Sequence, residues 1–174
     1  MYDIERIKEA IRDIPDFPSE GIIFKDITPV LGDPQLFTMA VDAIANRHIN
    51  SDVRKIAIID ARGFIFGAAI AYKLGIGLVP IRKVGKLPYK TFEQQYELEY
   101  GTATLCVHVD AFEKGEKVVL VDDLLATGGT AKASADLIDR AGGVLHEIDF
   151  LIELGFLDGG KILANYPVFS LLTV

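Results

Sequence analysis

Cysteine is nearly missing: Cys106 stands alone in 174 residues. A single thiol excludes an internal disulfide, and without a CxxC pair it excludes a structural zinc site, so Cys106 reads as a small strand side chain. No apolar run is long and charge-free enough to span a bilayer, and the N-terminal MYDIERIKEAIRDI carries charges throughout, unlike a secretory leader. Cytoplasmic residence is the expectation. Positive charge is also scarce: 18 Lys and Arg against 25 Asp and Glu leave a formal net charge of -7. That balance argues against a general nucleic-acid or membrane-surface binder. Low-complexity tracts and internal repeats are absent. So are the GxxxxGK[ST] and GxGxxG patterns of nucleotide-binding loops.

What is present is apolar and periodic. Half of the residues are hydrophobic, enough for a substantial core in one domain and against disorder. Ile4, Ile7, Ile11 and Ile14 recur near helical period, predicting a helix over residues 3–13 that Pro15 ends. Asp33-Pro34 reads as an N-cap followed by proline at the first helical position, opening a helix over 34–48. Strands are expected at 55–60, 76–81, 102–108, 117–121, 144–154 and 168–172, with helices after the Ala61-Arg62-Gly63 turn and over 131–141. Alternation of strands and helices implies an α/β fold: a mainly parallel twisted sheet flanked by helices, with ligands beyond the carboxyl ends of its strands. Residues 82–97, rich in charge, tyrosine and glutamine and without clear periodicity, read as a long functional loop or mobile hairpin.

The most specific segment is VVLVDDLLATGGT, residues 118–130. A run of β-branched and leucyl residues is a strand covered on both faces, and Gly128-Gly129 allow a tight turn. Backbone N–H groups and the hydroxyls of Thr127 and Thr130, at the start of the following helix, suit an anion. Asp122 and Asp123 sit at the strand's end, where adjacent carboxylates are costly unless sugar hydroxyls or a magnesium shell meet them. Gly-Gly alone would be any strand-turn-helix corner; the full string is more. Arg62, and then Arg82, Lys83 and Lys86, follow two other strands and would converge on the same sheet edge.

This string resembles the phosphoribosyl pyrophosphate (PRPP) motif of the type I phosphoribosyltransferases. Phe17-Pro18 with GIIFKDITPVL, then ARGFIFG, VPIRKVGKLP, LEYG and VLVDDLLATGGTA are similar, in order and over nearly the whole chain, to the adenine-specific branch of that family. The resemblance implies a single domain over 1–174, with an N-terminal helix and base-binding hood over 1–32 and a flexible active-site loop over 82–101. It implies transfer of the 5-phosphoribosyl group of PRPP to adenine, giving AMP and pyrophosphate, with Mg²⁺ held mainly through PRPP and water and with no direct protein ligand. It further implies a homodimer that binds neither nucleic acid nor membrane.

Carried over residue by residue, Asp122 and Asp123 meet the ribose hydroxyls, and Ala126, Thr127, Gly128, Gly129 and Thr130 hold the 5′-phosphate. Ala61 and Arg62 form the pyrophosphate loop, which in this family often contains a non-proline cis peptide, and Arg82, Lys83 and Lys86 contact pyrophosphate, some of them across a dimer interface. Ile23, Phe24 and Lys25 belong to the hood that reads adenine, with Leu154 and Arg62 completing the sandwich. Glu99 and Tyr100 match the catalytic pair. Val84 departs from a position where the family frequently has a basic residue, and Ala68-Ala69 from one where proline is common. Two other readings compete: a PRPP-sensing regulator with the same phosphate loop, and a transferase for another 6-substituted purine. A generic nucleotide-binding module accounts for neither the basic cluster nor the long loop.

Overall fold

Alternation within the strands divides their side chains between two cores. Ile56 and Ile58 point to one face of the sheet with Val119, Val121 and Leu151, while Ala57 and Ile59 join Val118, Leu120 and Phe150 on the other. Strands buried on both faces need helices on both. The computed structural model, which describes residues 3–97 and 101–174, supplies them.

In chain order the elements are α1 (Ile4–Ala10), β1 (Arg12–Pro15), β2 (Ile23–Asp26), α2 (Thr28–Gly32), α3 (Pro34–Ala45), β3 (Lys55–Ile59), α4 (Gly63–Leu74), β4 (Gly77–Lys83), β5 (Thr91–Glu97), β6 (Thr102–His108), β7 (Glu116–Leu125), α5 (Gly129–Arg140), β8 (Gly143–Glu153) and β9 (Val168–Thr173). A seven-stranded sheet has the order β5-β6-β4-β3-β7-β8-β9. Its β4-β3-β7-β8-β9 portion is parallel, and the β5-β6 hairpin joins its β4 edge antiparallel. Helices α1 to α4 pack on the first face and α5 on the second. Phe66 of α4 and Phe150 of β8 are both buried. Truncating either to alanine would cost about 4 kcal/mol, so core packing fixes the strand ends that carry the site.

Three expectations need correction. The first helix ends at Ala10, because Ile11 is already extended and the chain enters β1, which pairs antiparallel with β2 (Ile14 opposite Phe24). Pro15 holds the residue before it extended, and cross-strand pairing overrides the helical spacing of the isoleucines. The α3 helix opens as expected, with the Asp33 carboxylate accepting from the N–H groups of Gln35 and Leu36, but it ends at Ala45 rather than His48. Finally, the loop expected over 82–101 gives way in part to a hairpin, the other reading of this stretch. Residues 91–97 are a strand in full register with β6, and they alternate: Phe92, Gln94 and Tyr96 are partly buried, whereas Glu93, Gln95 and Glu97 are exposed. Cys106 is the buried strand side chain that was expected, its thiol donating to the Lys83 carbonyl oxygen at 3.7 Å.

Candidate active site

Strand β7 runs into the turn Ala126-Thr127-Gly128 and then into α5, whose first residue is Gly129. Gly128 has φ +85°, and a Cβ there would lie 2.5 Å from the Gly159 carbonyl oxygen and collide with Ile162. Only glycine fits. From behind, Gly159 is equally confined, since its own Cβ would collide with the Ala126 carbonyl oxygen. The turn is thereby pressed into a concave form, lining a cavity of about 70 Å³ with Thr127, Gly128, Thr130 and Asp122. The helix N-terminus below it offers N–H groups and a favourable dipole to an anion. The Thr130 carbonyl oxygen accepts from the buried Ser134 hydroxyl at 2.8 Å, and its own hydroxyl donates to the Tyr96 phenol oxygen at 3.4 Å.

Toward the end of β7, which runs on through Leu124 and Leu125, Asp122 is partly buried and Asp123 only 4% exposed. The Asp123 N–H donates to Asp122 Oδ1 at 2.9 Å. Burial, reinforced by the neighbouring carboxylate, raises the pKa of Asp122 well above the ordinary carboxylate range. Burial also raises Asp123, against the opposing charge of Arg62. Such a pair gains from hydroxyl donors or a hard cation. Arg62 Nε lies 2.8 Å from Asp123 Oδ2, charge to charge but without hydrogen-bond alignment, so the lone pairs of this buried oxygen stay available.

Arg62 immediately precedes α4, just after a cis peptide between Asp60 and Ala61. The cis bond thus falls one residue ahead of the Ala61-Arg62 pair. The Arg62 guanidinium carbon sits 4.8 Å from the centroid of the Phe24 ring, and Phe17 packs edge-on to Phe24 at 5.2 Å. Lys25 pairs with Asp13 across the β1-β2 hairpin at 2.7 Å, and Ile23 is 57% exposed. Of the expected base-sandwiching groups, Arg62 is the one stacked on Phe24. Leu154 is buried in the core that includes Leu124 and Ala126, and its N–H donates to the Leu125 carbonyl oxygen at 2.9 Å.

The basic cluster divides. Lys83 lines a cleft of about 350 Å³ together with Ala61, Arg62, Asp122, Asp123 and Thr130, joining the three loops at one sheet edge. Arg82, next along β4, points to the opposite face: its Nε pairs with Asp60 at 2.9 Å and its guanidinium lies over Phe64. Lys86 is exposed, and its carbonyl oxygen accepts from Arg82. Within one protomer Lys83 is thus the one of the three that lines this cleft, and Arg82 does not because consecutive strand residues face opposite ways. Glu99 and Tyr100 lie outside the described residues. Tyr96 and Asp60, both lining the cleft, were missed by the sequence reading. The signal for Tyr96 was the two-residue alternation of Phe92, Gln94 and Tyr96.

Among the described residues, one group of His, Asp and Glu is close enough to share an ion, and it lies elsewhere: His48, Glu147 and Asp149. Arg47 already holds Glu147 through two hydrogen bonds, and His48 Nε2 is 2.6 Å from Asp149 Oδ2.

Residues 31–149 match the phosphoribosyl transferase domain model. An adenine phosphoribosyltransferase of Solidesulfovibrio magneticus is 53% identical over 97% of this chain and 98% of its own length, and one from a Thermoanaerobacter species is 54% identical over 97% and 98%. The crystal structure of adenine phosphoribosyltransferase from Thermoanaerobacter pseudethanolicus superposes with a TM-score of 0.95 at 53% identity, covering 98% of this chain and 99% of that one. The Saccharomyces cerevisiae enzyme, solved in complex with an imino-altritol bisphosphate and adenine, gives 0.92 at 40% identity over 97% and 98%. By sequence, by length and by fold, the chain belongs to the adenine phosphoribosyltransferases.

Proposed function

We propose that this protein is a purine-salvage transferase that joins adenine N9 to C1′ of PRPP, releasing pyrophosphate and forming AMP. The observation that carries this reading is the single cleft in which Lys83, Arg62, Asp122, Asp123 and Thr130 meet beside the phosphate turn. In it, the Thr127-Thr130 turn anchors the 5′-phosphate, and Asp122 and Asp123 accept from the ribose hydroxyls. Lys83 and the Ala61-Arg62 turn face the pyrophosphate, stabilising the negative charge that develops as it leaves. Phe24, with Arg62 on its ring, forms one side of the adenine slot.

Mg²⁺ is the cofactor in this reading, held mainly through PRPP oxygens and water and not by a direct protein ligand; the buried carboxylates of Asp122 and Asp123, whose burial calls for positive charge, would favour it from behind that shell. When bound, it supplies further charge neutralisation on the departing group. Glu99, three residues past Tyr96, carries or relays the N9 proton or stabilises the ribosyl cation. A homodimer belongs to the same reading, because Lys86 is exposed outside its own protomer's cleft, where a second copy's site can use it.

Incubation with PRPP, Mg²⁺ and adenine should yield AMP and pyrophosphate. Turnover of guanine or hypoxanthine with none of adenine would overturn the substrate assignment. Glu99→Ala should lower kcat with little change in PRPP affinity.

A further inference from the structure

We propose that Tyr96 is a positioning residue, tying the phosphate cradle to the strand that leads into the Leu98-Glu99-Tyr100 segment. The inference rests on the reading of the Thr127-Thr130 turn as the seat of the 5′-phosphate.

Strand β5 runs antiparallel to α5 and is clamped to it at two points. At its start, Arg140 near the end of α5 donates from Nη1 to the Glu93 carbonyl oxygen at 2.6 Å and to Gln94 Oε1 at 3.3 Å, with its guanidinium 5.7 Å from the Phe92 ring centroid. At its other end, Tyr96 reaches the first turn of α5. Its ring carbon Cδ2 lies 3.6 Å from where a Cβ on Gly129 would stand, and its phenol oxygen is 3.4 Å from Thr130 Oγ1. The ring is also a wall shared by two cavities, the 350 Å³ active-site cleft and one of about 260 Å³ between β5 and α5.

A hydroxyl pair can reverse its polarity at little cost, since each oxygen both donates and accepts. In the structure the Thr130 hydroxyl donates to Tyr96. When a phosphate enters the cradle, the Thr130 hydrogen turns to a phosphate oxygen and the phenol donates to Thr130 Oγ1 instead. The resulting chain, Tyr96 to Thr130 to phosphate, is polarised in one direction by the anion, and each bond strengthens the next. Occupancy of the cradle thus tightens the end of β5, three residues before Glu99. The 5′-phosphate, remote from the reacting C1′, in this way contributes binding energy to placement of the strand that leads toward Glu99.

Tyr96→Phe keeps the ring, its packing on Gly129 and the strand, and removes only the hydroxyl. The thermal midpoint should stay unchanged. We expect kcat/KM for PRPP to fall about fivefold, the worth of one neutral hydrogen bond, with KM for adenine unchanged. Saturating PRPP should slow amide exchange over residues 94–97, the end of β5, in the unsubstituted protein and much less in Tyr96→Phe. In a double-mutant cycle with Thr130→Val, the two losses should be strongly non-additive. Additive losses, or PRPP-induced protection at 94–97 equal in both proteins, overturn the proposal. Thr130→Val alone separates the two levels: unchanged PRPP affinity overturns the cradle reading itself, whereas weakened PRPP binding beside a silent Tyr96→Phe overturns only the role of Tyr96.

Discussion

Arg62 Nε stands 2.8 Å from Asp123 Oδ2, joining residues that sequence separates by 61 positions and three strands. The same guanidinium lies over Phe24, and its buried Nη1 has no hydrogen-bond partner among the described residues. One cation therefore spans Phe24 and Asp123, the proposed base slot and ribose ligand, while keeping a donor free. Replacing it by Arg62→Gln leaves Asp123 buried without its opposing charge. Breaking such a pair costs about 2 kcal/mol for a partner that is one-third exposed, or close to thirtyfold in kcat/KM. Because Arg62 holds the Asp123 pKa down against burial, its removal lets that pKa rise. The acid limb of the kcat/KM profile for PRPP should then move to higher pH. An acid limb unmoved in Arg62→Gln would show that the pair does not set it.

The support behind the phosphate turn allows a test at a distance from the ligand. Gly159→Ala drives a methyl group into the Ala126 carbonyl oxygen, displacing the turn without touching substrate. Overpacking of this kind costs about 1–3 kcal/mol. KM for PRPP should rise about tenfold or more, and KM for adenine should change much less. Equal changes in both constants would argue for general loosening instead.

Legibility in the sequence followed the range of the interactions. The β7 turn was readable because strand burial, adjacent carboxylates and Gly-Gly are contiguous, and the Asp33-Pro34 cap because capping is local. The N-terminal hairpin was not, since pairing of Ile14 with Phe24 is a tertiary matter that isoleucine spacing does not encode. Arg82 and Lys83 look alike in sequence, yet strand alternation sends one to Asp60 and the other into the cleft. That distinction needed the strand's facing. Gly159 was invisible for a different reason: its importance lies in the atoms across from it.

Away from the site, Asp149 is fully buried beside His48, and burial pushes its pKa up to about 6 from 3.8. Its surroundings are ionic: His48 from the turn after α3, Glu147 two residues before it on β8, and Arg47, which holds Glu147. With the folded pKa above the unfolded one, the folded state binds the extra proton between pH 3.8 and about 6. The contribution of this group to stability is fully present below 3.8 and is lost as pH rises through about 6. Asp149→Asn removes that dependence. Subtracting its thermal midpoint from that of the unsubstituted protein, from pH 4 to 7.5, should give a difference that shifts in favour of the carboxylic acid as pH falls. A difference that is flat across this range would exclude the titration of Asp149 as its source.

The divided basic cluster makes the last prediction a comparison of neighbours. Lys83 lines the cleft as an exposed ammonium, whereas Arg82 is paired with Asp60 and turned toward Phe64. In the reverse reaction, from AMP and pyrophosphate, Lys83→Ala should raise KM for pyrophosphate about tenfold, the lower end of a charge-assisted contact. Since an exposed cation is screened, the gap between variant and unsubstituted protein should narrow as salt is added. Arg82→Ala removes a partner from Asp60, beside the Ala61-Arg62 turn, so its effect should fall on kcat and thermal stability more than on pyrophosphate KM. If instead both substitutions raise pyrophosphate KM equally with the same salt dependence, then Arg82 reaches the ligand in the working enzyme, and its pairing with Asp60 is released when pyrophosphate binds.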